Sequence, residues 1–356
     1  MREERNTSIA AQFLLTAACF VIVVAGMKMA SSILVPFLLA AFIAIICAPF
    51  LFWMQKRGVP SGISALFLLI AIVAIGFLLA IFVGKSVNDF SAALPGYQER
   101  LTGMTAALIS WLRGLGFEIS NQVVTEYFDP RKIMNLLAKT ASGLSGLLTN
   151  TFLIILTVIF ILLEAAGFPK KLQTALNAAD GSFGGLSKFT ENVNRYLAIK
   201  TGFSLLTGIS IWIWLAILGV DHALLWGLLA FLLNYVPNIG SIIAAVPAVL
   251  LCLIQLGTSS ALLAGIGYVV VNVVVGSILE PKFMGRGLGL STLVVFLSLV
   301  FWGWVLGPVG MVLSVPLTMI LKVSLESNED TRWIAVLLGQ ASTADAGPNV
   351  TEEKDE

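Results

Sequence analysis

The segments Tyr235-Val-Pro-Asn-Ile-Gly240 and Leu306-Gly-Pro-Val-Gly310 each interrupt a long apolar stretch, residues 224–256 and 290–322 respectively. A helix needs about 20 residues to cross a bilayer, so each stretch is too long for one span and too short for two. Proline removes a backbone donor and glycine loosens a helix, so both segments free backbone polar groups at membrane depth. Paired interruptions of this kind are typical of a transporter's binding site.

The composition predicts an all-α, polytopic membrane protein. Of 356 residues, 58% are hydrophobic and 12% are charged, and the mean hydropathy is +0.95. A soluble domain has about 25% charged residues, which excludes an ordinary soluble fold. Three cysteines lie in apolar runs and the single histidine, His222, lies in a turn, so no metal site or disulfide framework is expected.

Six further apolar stretches are predicted to be full transmembrane spans. Lysine and arginine in the short loops favour a cytoplasmic N-terminus and a cytoplasmic C-terminus. A cytoplasmic position of Lys282 and Arg286 requires residues 224–256 to form a re-entrant hairpin rather than a full crossing. The second interrupted stretch is then a hairpin from the opposite face. The predicted spans are residues 9–27, 31–53, 62–84, 151–168, 199–220 and 259–279.

The two interrupted stretches also indicate an inverted repeat. Residues 199–256 and 259–322 each read as a span followed by a hairpin, with opposite membrane polarity. Repeats of this type bind solutes near the bilayer midplane. The competing interpretation is that glycine and proline are simply common in membrane helices.

Five segments are predicted on this basis. Residues 1–84 form N-terminal spans that act as a scaffold, and 85–149 form an extracytoplasmic amphipathic helical segment punctuated at Pro95-Gly96. Residues 150–198 contain a span and a cytoplasmic amphipathic helix, 199–325 form the transport core, and 326–356 form a cytoplasmic tail.

Polar and helix-breaking residues around the interruptions are the predicted contacts of the transported solute. Freed backbone groups, amides and hydroxyls suit a small polyhydroxylated molecule, which needs many hydrogen bonds and few charges. The alternative is that such residues only bond neighbouring helices together. The predicted substrate-binding residues are Asn234, Tyr235, Pro237, Asn238, Gly240, Ser241, Asn272, Gly307 and Gly310.

Two carboxylates within the apolar stretches, Glu164 and Glu280, are candidates for a proton or cation relay. Intramembrane carboxylates often have such functions. The alternative is that they reach the interface or pair with nearby bases, Lys170 for Glu164 and Lys282 for Glu280. No paired carboxylates lie at mid-membrane in the sequence, which weakens a dedicated exchanger.

Enzyme motifs are missing from the sequence. Gly84-Lys85-Ser86 resembles the end of a phosphate loop, but Leu79 stands where that loop needs glycine. No metalloprotease or serine-hydrolase motif is present. We therefore predict a protein that is not an enzyme, with no cofactor, no metal and no nucleic-acid partner.

Three motifs in the C-terminal half resemble the autoinducer-2 exporter family, the PerM-like permeases. They are Asn234-Tyr-Val-Pro-Asn-Ile-Gly-Ser-Ile-Ile-Ala-Ala-Val-Pro247, Leu279-Glu-Pro-Lys-Phe-Met-Gly-Arg-Gly-Leu-Gly289 and Phe301-Trp-Gly-Trp-Val-Leu-Gly-Pro-Val-Gly-Met-Val-Leu-Ser-Val-Pro-Leu-Thr318. The resemblance extends over nearly the whole chain.

That resemblance implies export of autoinducer-2, a quorum-sensing signal, through the bacterial inner membrane by a homo-oligomer, with a pentamer as a candidate assembly. The family also contains members described as sodium/proton antiporters, so the alternatives are a cation/proton antiporter and a non-transporting membrane scaffold or regulator. The favoured hypothesis is alternating access, in which the hairpin repeat moves against the N-terminal spans.

Overall fold

The computed structural model describes residues 9–115, 130–147, 151–165, 183–237, 239–284, 290–326 and 331–339. Within these ranges the regular secondary structure is entirely helical. Together with the apolar helices described below, this confirms an all-α polytopic membrane protein.

Twelve α-helices and one π-helix are numbered here along the described parts of the chain. The first five are α1 (Ile9–Met29), α2 (Ser31–Lys56), α3 (Ser61–Gly114), α4 (Pro130–Leu147) and α5 (Thr151–Ala165). The next four are α6 (Phe183–Leu218), α7 (Ala223–Leu233), α8 (Gly240–Leu256) and α9 (Thr258–Val271). The π-helix (Asn272–Leu279), α10 (Glu280–Met284), α11 (Thr292–Glu326) and α12 (Arg332–Leu337) complete the order.

Five helices are long and apolar enough to cross a membrane: Ser31–Lys56, Ser61–Gly114, Val193–Leu218, Thr258–Phe283 and Thr292–Glu326. The first four coincide with four of the six predicted spans. The remaining two correspond to the shorter apolar helices Leu14–Met29 and Leu153–Glu164. A total of six spans therefore stays a prediction.

The third helix is longer than the sequence suggested. Pro95-Gly96 was expected to punctuate the chain, but α3 continues through both residues to Gly114. Packing explains the continuity, because Phe90 and Tyr97 are buried in the same cluster as Trp226. Helix α4 also packs in this cluster, through Met134, Leu137 and Ala141, as expected of an amphipathic helix.

Two compact units divide the chain. One contains Met1–Ile43 and Gly289–Glu356, and the other contains Ala44–Leu288. The boundary after Leu288 falls within the predicted transport core, residues 199–325, because compactness depends on contacts between distant parts of the chain. The five functional segments predicted from the sequence stay a prediction.

The first interrupted stretch folds back on itself as a helical hairpin, α7–α8. The backbone N–H of Asp221 donates to Oε1 of Gln255 at 2.9 Å. These residues are 34 positions apart, and an uninterrupted helix would separate them by about 50 Å. The end of α8 has therefore returned to the start of α7.

The second interrupted stretch is also a hairpin, within α11. Nε1 of Trp302 donates to Oγ1 of Thr318 at 3.1 Å although the two residues are 16 positions apart, which is about 24 Å along a straight helix. The reversal lies at Gly307, with φ 70° and ψ −154°. A side chain is strained at this φ, so glycine is the residue that permits the turn.

Replacing Thr318 by valine is expected to destabilise the second hairpin. The half-buried indole N–H of Trp302 loses its acceptor. Because a fully buried donor left without one costs about 1–3 kcal/mol, we expect a loss of about 1 kcal/mol. Thermal unfolding of the purified protein in detergent measures the effect. Thr318→Ser is the matched control because it keeps the hydroxyl; equal unfolding temperatures for the two variants would contradict the role of the bond.

Candidate functional site

The first break is the segment of residues 235–240, which joins α7 to α8. It lies against a polar face of α6. Asn234 and Tyr235 follow the end of α7, and both are buried. Nδ2 of Asn234 donates to Oγ of Ser204 at 3.0 Å. The Tyr235 hydroxyl donates to Oγ1 of Thr201 at 2.8 Å. Two predicted site residues are thus fixed to the same helix.

The polar face of α6 follows from the spacing of its side chains. Tyr196, Lys200 and Ser204 recur every four residues, and Thr201 lies beside them, so all four share one side of a helix. Tyr196, Lys200 and Ser204 are buried. A buried polar face within an apolar helix points toward protein and not toward lipid.

An ion pair completes this polar region. Nζ of Lys200 lies 2.6 Å from Oε1 of Glu280, and the two side chains are 7% and 11% exposed. Glu280 begins α10, 80 positions further along the chain. Tyr196 lies one turn before Lys200 on α6 and is also buried. The alternative of a pairing between Glu280 and Lys282 is not the arrangement observed: α10 packs on α6, and the carboxylate bonds to Lys200 instead.

The backbone makes a close approach at Gly240. A Cβ at this position would meet the carbonyl oxygen of Leu233. Glycine therefore lets α8 start directly against the end of α7. Pro237 and Ser241 beside it are half-buried, and the predicted contact Asn238 lies outside the described residues.

The second break is the segment of residues 306–310 within α11. It belongs to the compact unit that contains Gly289–Glu356. A Cβ at Gly310 would meet the carbonyl oxygen of Trp302, so Gly307 provides the reversal and Gly310 the close packing of the hairpin. Ser298, Ser314 and Thr318 are buried around it. Both predicted glycine contacts therefore have structural roles in the hairpin itself.

A model of one protein family, described as AI-2E family transporter, matches residues 17–329 of the chain. The chain belongs to the AI-2E transporter family. The AI-2 transport protein TqsA of Escherichia coli K12 is 44% identical over 318 residues, covering 89% of this chain and 92% of that protein. A protein of Haemophilus influenzae Rd is 42% identical over 332 residues, covering 92% of this chain and 95% of that protein. The resemblance drawn from the motifs is confirmed, and the protein is a membrane transporter.

A π-helix in this AI-2E transporter leads directly to the ion pair. It spans Asn272–Leu279, and Glu280 is the next residue. π-Helical turns often occur at functional sites. Asn272, a predicted contact, begins this element, and its Oδ1 would lie 3.1 Å from a Cβ at Gly276. Among the described residues no hydrogen bond joins Asn272 to the first break.

The other carboxylate, Glu164, belongs neither to the polar face of α6 nor to the first break. It is exposed near the end of α5. Its proposed relay role stays a prediction.

The base of the first hairpin is fixed to the long helix of this AI-2E transporter. The Tyr97 hydroxyl donates to Oδ2 of Asp221 at 2.6 Å. Nη1 of Arg100 donates to the carbonyl of Gln255 at 3.3 Å, and Nε1 of Trp226 donates to the carbonyl of Asp221 at 3.2 Å. Both ends of the hairpin are therefore held at one place on α3.

Sequence reasoning missed Tyr196, Lys200, Thr201 and Ser204 as site residues. Lys200 was interpreted only as a cytoplasmic charge that sets orientation. The signal was available in the four-residue spacing of polar side chains along α6, which continues into its apolar part.

Proposed function

We propose that this transporter exports autoinducer-2, a small polar solute, from the bacterial cytoplasm by alternating access. The solute binds between the first break and the polar face of α6. That face supports the proposal most directly, because buried hydroxyl, amide and amine groups meet there. Such groups can replace water around a solute that carries several oxygens and no net charge.

The hairpins are the moving parts in this proposal. Helices α7 and α8 have 11 and 17 residues, so the arms are about 16 and 25 Å long. The hydrocarbon core is about 30 Å thick. Arms of this length suit a re-entrant hairpin, and movement of its tip would open the site to one side of the membrane at a time.

The proposed location, direction and assembly rest on the resemblance to the family and on the charge pattern. The similar Escherichia coli protein is named an AI-2 transport protein. We assign this chain to the inner membrane, with both termini in the cytoplasm, because the basic loops favour that orientation. The bilayer is its environment, and a homo-oligomer, with a pentamer as a candidate, is the proposed assembly.

A cation/proton antiporter is the second candidate. Glu164 and Glu280 would be its titrating groups. The Lys200 ammonium already compensates the charge of Glu280 at 2.6 Å, which argues against Glu280 as a ready cation site. A neutral solute is therefore the better match for the polar face.

Efflux and uptake of labelled autoinducer-2 in vesicles that contain only this protein test the proposal. Asn234→Ala and Ser204→Ala should each lower flux about tenfold, the equivalent of about 1.4 kcal/mol and thus of one hydrogen bond. Imposed proton and sodium gradients identify the coupling ion.

Ser91→Ala is the matched control for Ser204→Ala, because the Ser91 hydroxyl is exposed and bonds only within α3, to the Val87 carbonyl at 2.7 Å. Flux that is absent in the unmodified protein would refute autoinducer-2 as the solute. Cation-driven proton movement that disappears without Glu164 and Glu280 would favour the antiporter.

A further inference from the structure

The groups of the ion pair have unused hydrogen-bonding capacity. An ammonium has three donors, and the described residues provide one acceptor to Lys200, Oε1 of Glu280. Within the same ranges Oε2 of Glu280 accepts no hydrogen bond, and the Tyr196 hydroxyl has no partner. All three side chains are buried.

Buried polar groups normally have partners, because an unpaired group loses its hydrogen bonds to water without replacement. The Lys200 ammonium and the Glu280 carboxylate satisfy each other through one bond, so the capacity that remains lies in the Tyr196 hydroxyl, in Oε2 of Glu280 and in the other two ammonium hydrogens. Tyr196 and Lys200 lie one turn apart on α6, and Glu280 bonds to Lys200. Donors and acceptors with free capacity therefore meet within one small region.

We propose that Lys200, Glu280 and Tyr196 form a subsite for two adjacent oxygens of a neutral solute, a hydroxyl next to a second hydroxyl or to a carbonyl. The Lys200 ammonium donates to one oxygen, and the neighbouring hydroxyl donates to Oε2 of Glu280. The Tyr196 hydroxyl donates a hydrogen bond to either of these two oxygens. This inference rests on the proposed transport function and specifies the solute class.

The charges of the pair set the selectivity of the subsite. The ammonium and the carboxylate sum to zero, so an anionic solute meets the Glu280 charge and a cationic solute meets the Lys200 charge. A solute without a hydroxyl leaves Oε2 of Glu280 without a donor. Neutral hydroxycarbonyl compounds are therefore preferred over diketones that lack a hydroxyl and over hydroxy acids of similar size.

Titration calorimetry on the full-length protein in lipid nanodiscs tests the subsite without requiring transport. The probes are dihydroxypentanedione, dihydroxyacetone, diacetyl, which has two carbonyls and no hydroxyl, and lactate. The first two should bind, and the last two should bind at least tenfold more weakly. Equal affinity for diacetyl and dihydroxyacetone would overturn the subsite, as would an absence of binding by all probes.

Tyr196→Phe is the decisive variant, because it removes a hydroxyl that has no partner in the described structure. We expect at least threefold weaker binding of dihydroxypentanedione and an unchanged unfolding temperature, which a purely structural role would not produce. The double variant K200M/E280Q leaves no unpaired charge, and it should bind dihydroxypentanedione at least tenfold more weakly than the unmodified protein does. Glu326→Gln, which removes the carboxylate charge that faces Lys322, is the control and should bind dihydroxypentanedione normally.

Unchanged binding by Tyr196→Phe and by the double variant would overturn the subsite and leave the proposed function in place if vesicle flux persists. Binding with the expected variant effects but no flux would support the subsite and refute transport of that probe. The two proposals therefore fail through different measurements.

Discussion

Replacing Lys200 by methionine is expected to lower the free energy of unfolding by about 3–5 kcal/mol, because it leaves a buried carboxylate without its counter-ion. Glu280→Gln should cost less, since it leaves an ammonium that still has an amide acceptor within reach. The pair distance is 2.6 Å and both side chains are nearly withdrawn from solvent. Thermal or denaturant unfolding in detergent micelles measures both effects.

The double variant K200M/E280Q is the control for this prediction. Replacing both members of a buried pair is often neutral, because the cost of burying charge disappears together with the attraction. Its stability should lie close to that of the unmodified protein. A loss equal to the sum of the single losses would contradict a coupled pair.

Replacing Gly240 by alanine is expected to stop transport and to lower stability by about 3 kcal/mol, the upper part of the range for overpacking. The added Cβ would meet the carbonyl oxygen of Leu233, which belongs to the backbone and cannot move away as a flexible side chain can. The α7–α8 hairpin would have to open at its tip. Vesicle flux and thermal unfolding, measured together, report both effects.

Gly202→Ala on α6 is the matched control, since no atom lies within 4 Å of its added Cβ. Glycine within a helix costs about 0.5–1 kcal/mol relative to alanine, so this variant should be slightly more stable. Normal stability of Gly240→Ala would show that the tip of the hairpin is looser than its contacts indicate. Lost flux in Gly240→Ala therefore reports on packing as well as on solute contact.

The helical hairpins could be predicted from the sequence because their cause is local. Proline and glycine act on the backbone where they occur, so both reversals lie where the segments at Tyr235–Gly240 and Leu306–Gly310 placed them. Glu280 could also be identified from the sequence as a candidate functional residue, because charge is rare within apolar stretches. The family could be identified from the motifs that contain the same two segments.

The partner of Glu280 could not be predicted in this way. Lys200 is 80 positions away, and the pairing depends on how α10 packs against α6. The division after Leu288 likewise arises from long-range contacts and leaves no mark in composition. Continuity of α3 through Pro95 has the same origin, since packing of Phe90 and Tyr97 outweighs a local helix-breaking preference.

Two ion pairs within the described residues, Lys322–Glu326 and Lys200–Glu280, should respond differently to dissolved salt. The Lys322–Glu326 pair is 3.4 Å long, and its carboxylate side chain is 47% exposed, so mobile ions weaken it. At physiological ionic strength the screening length is about 8 Å in water, but a buried pair is screened much less than an exposed one. The Lys200–Glu280 attraction is therefore screened much less than the exposed pair, and its strength should change little when the salt concentration around the membrane rises.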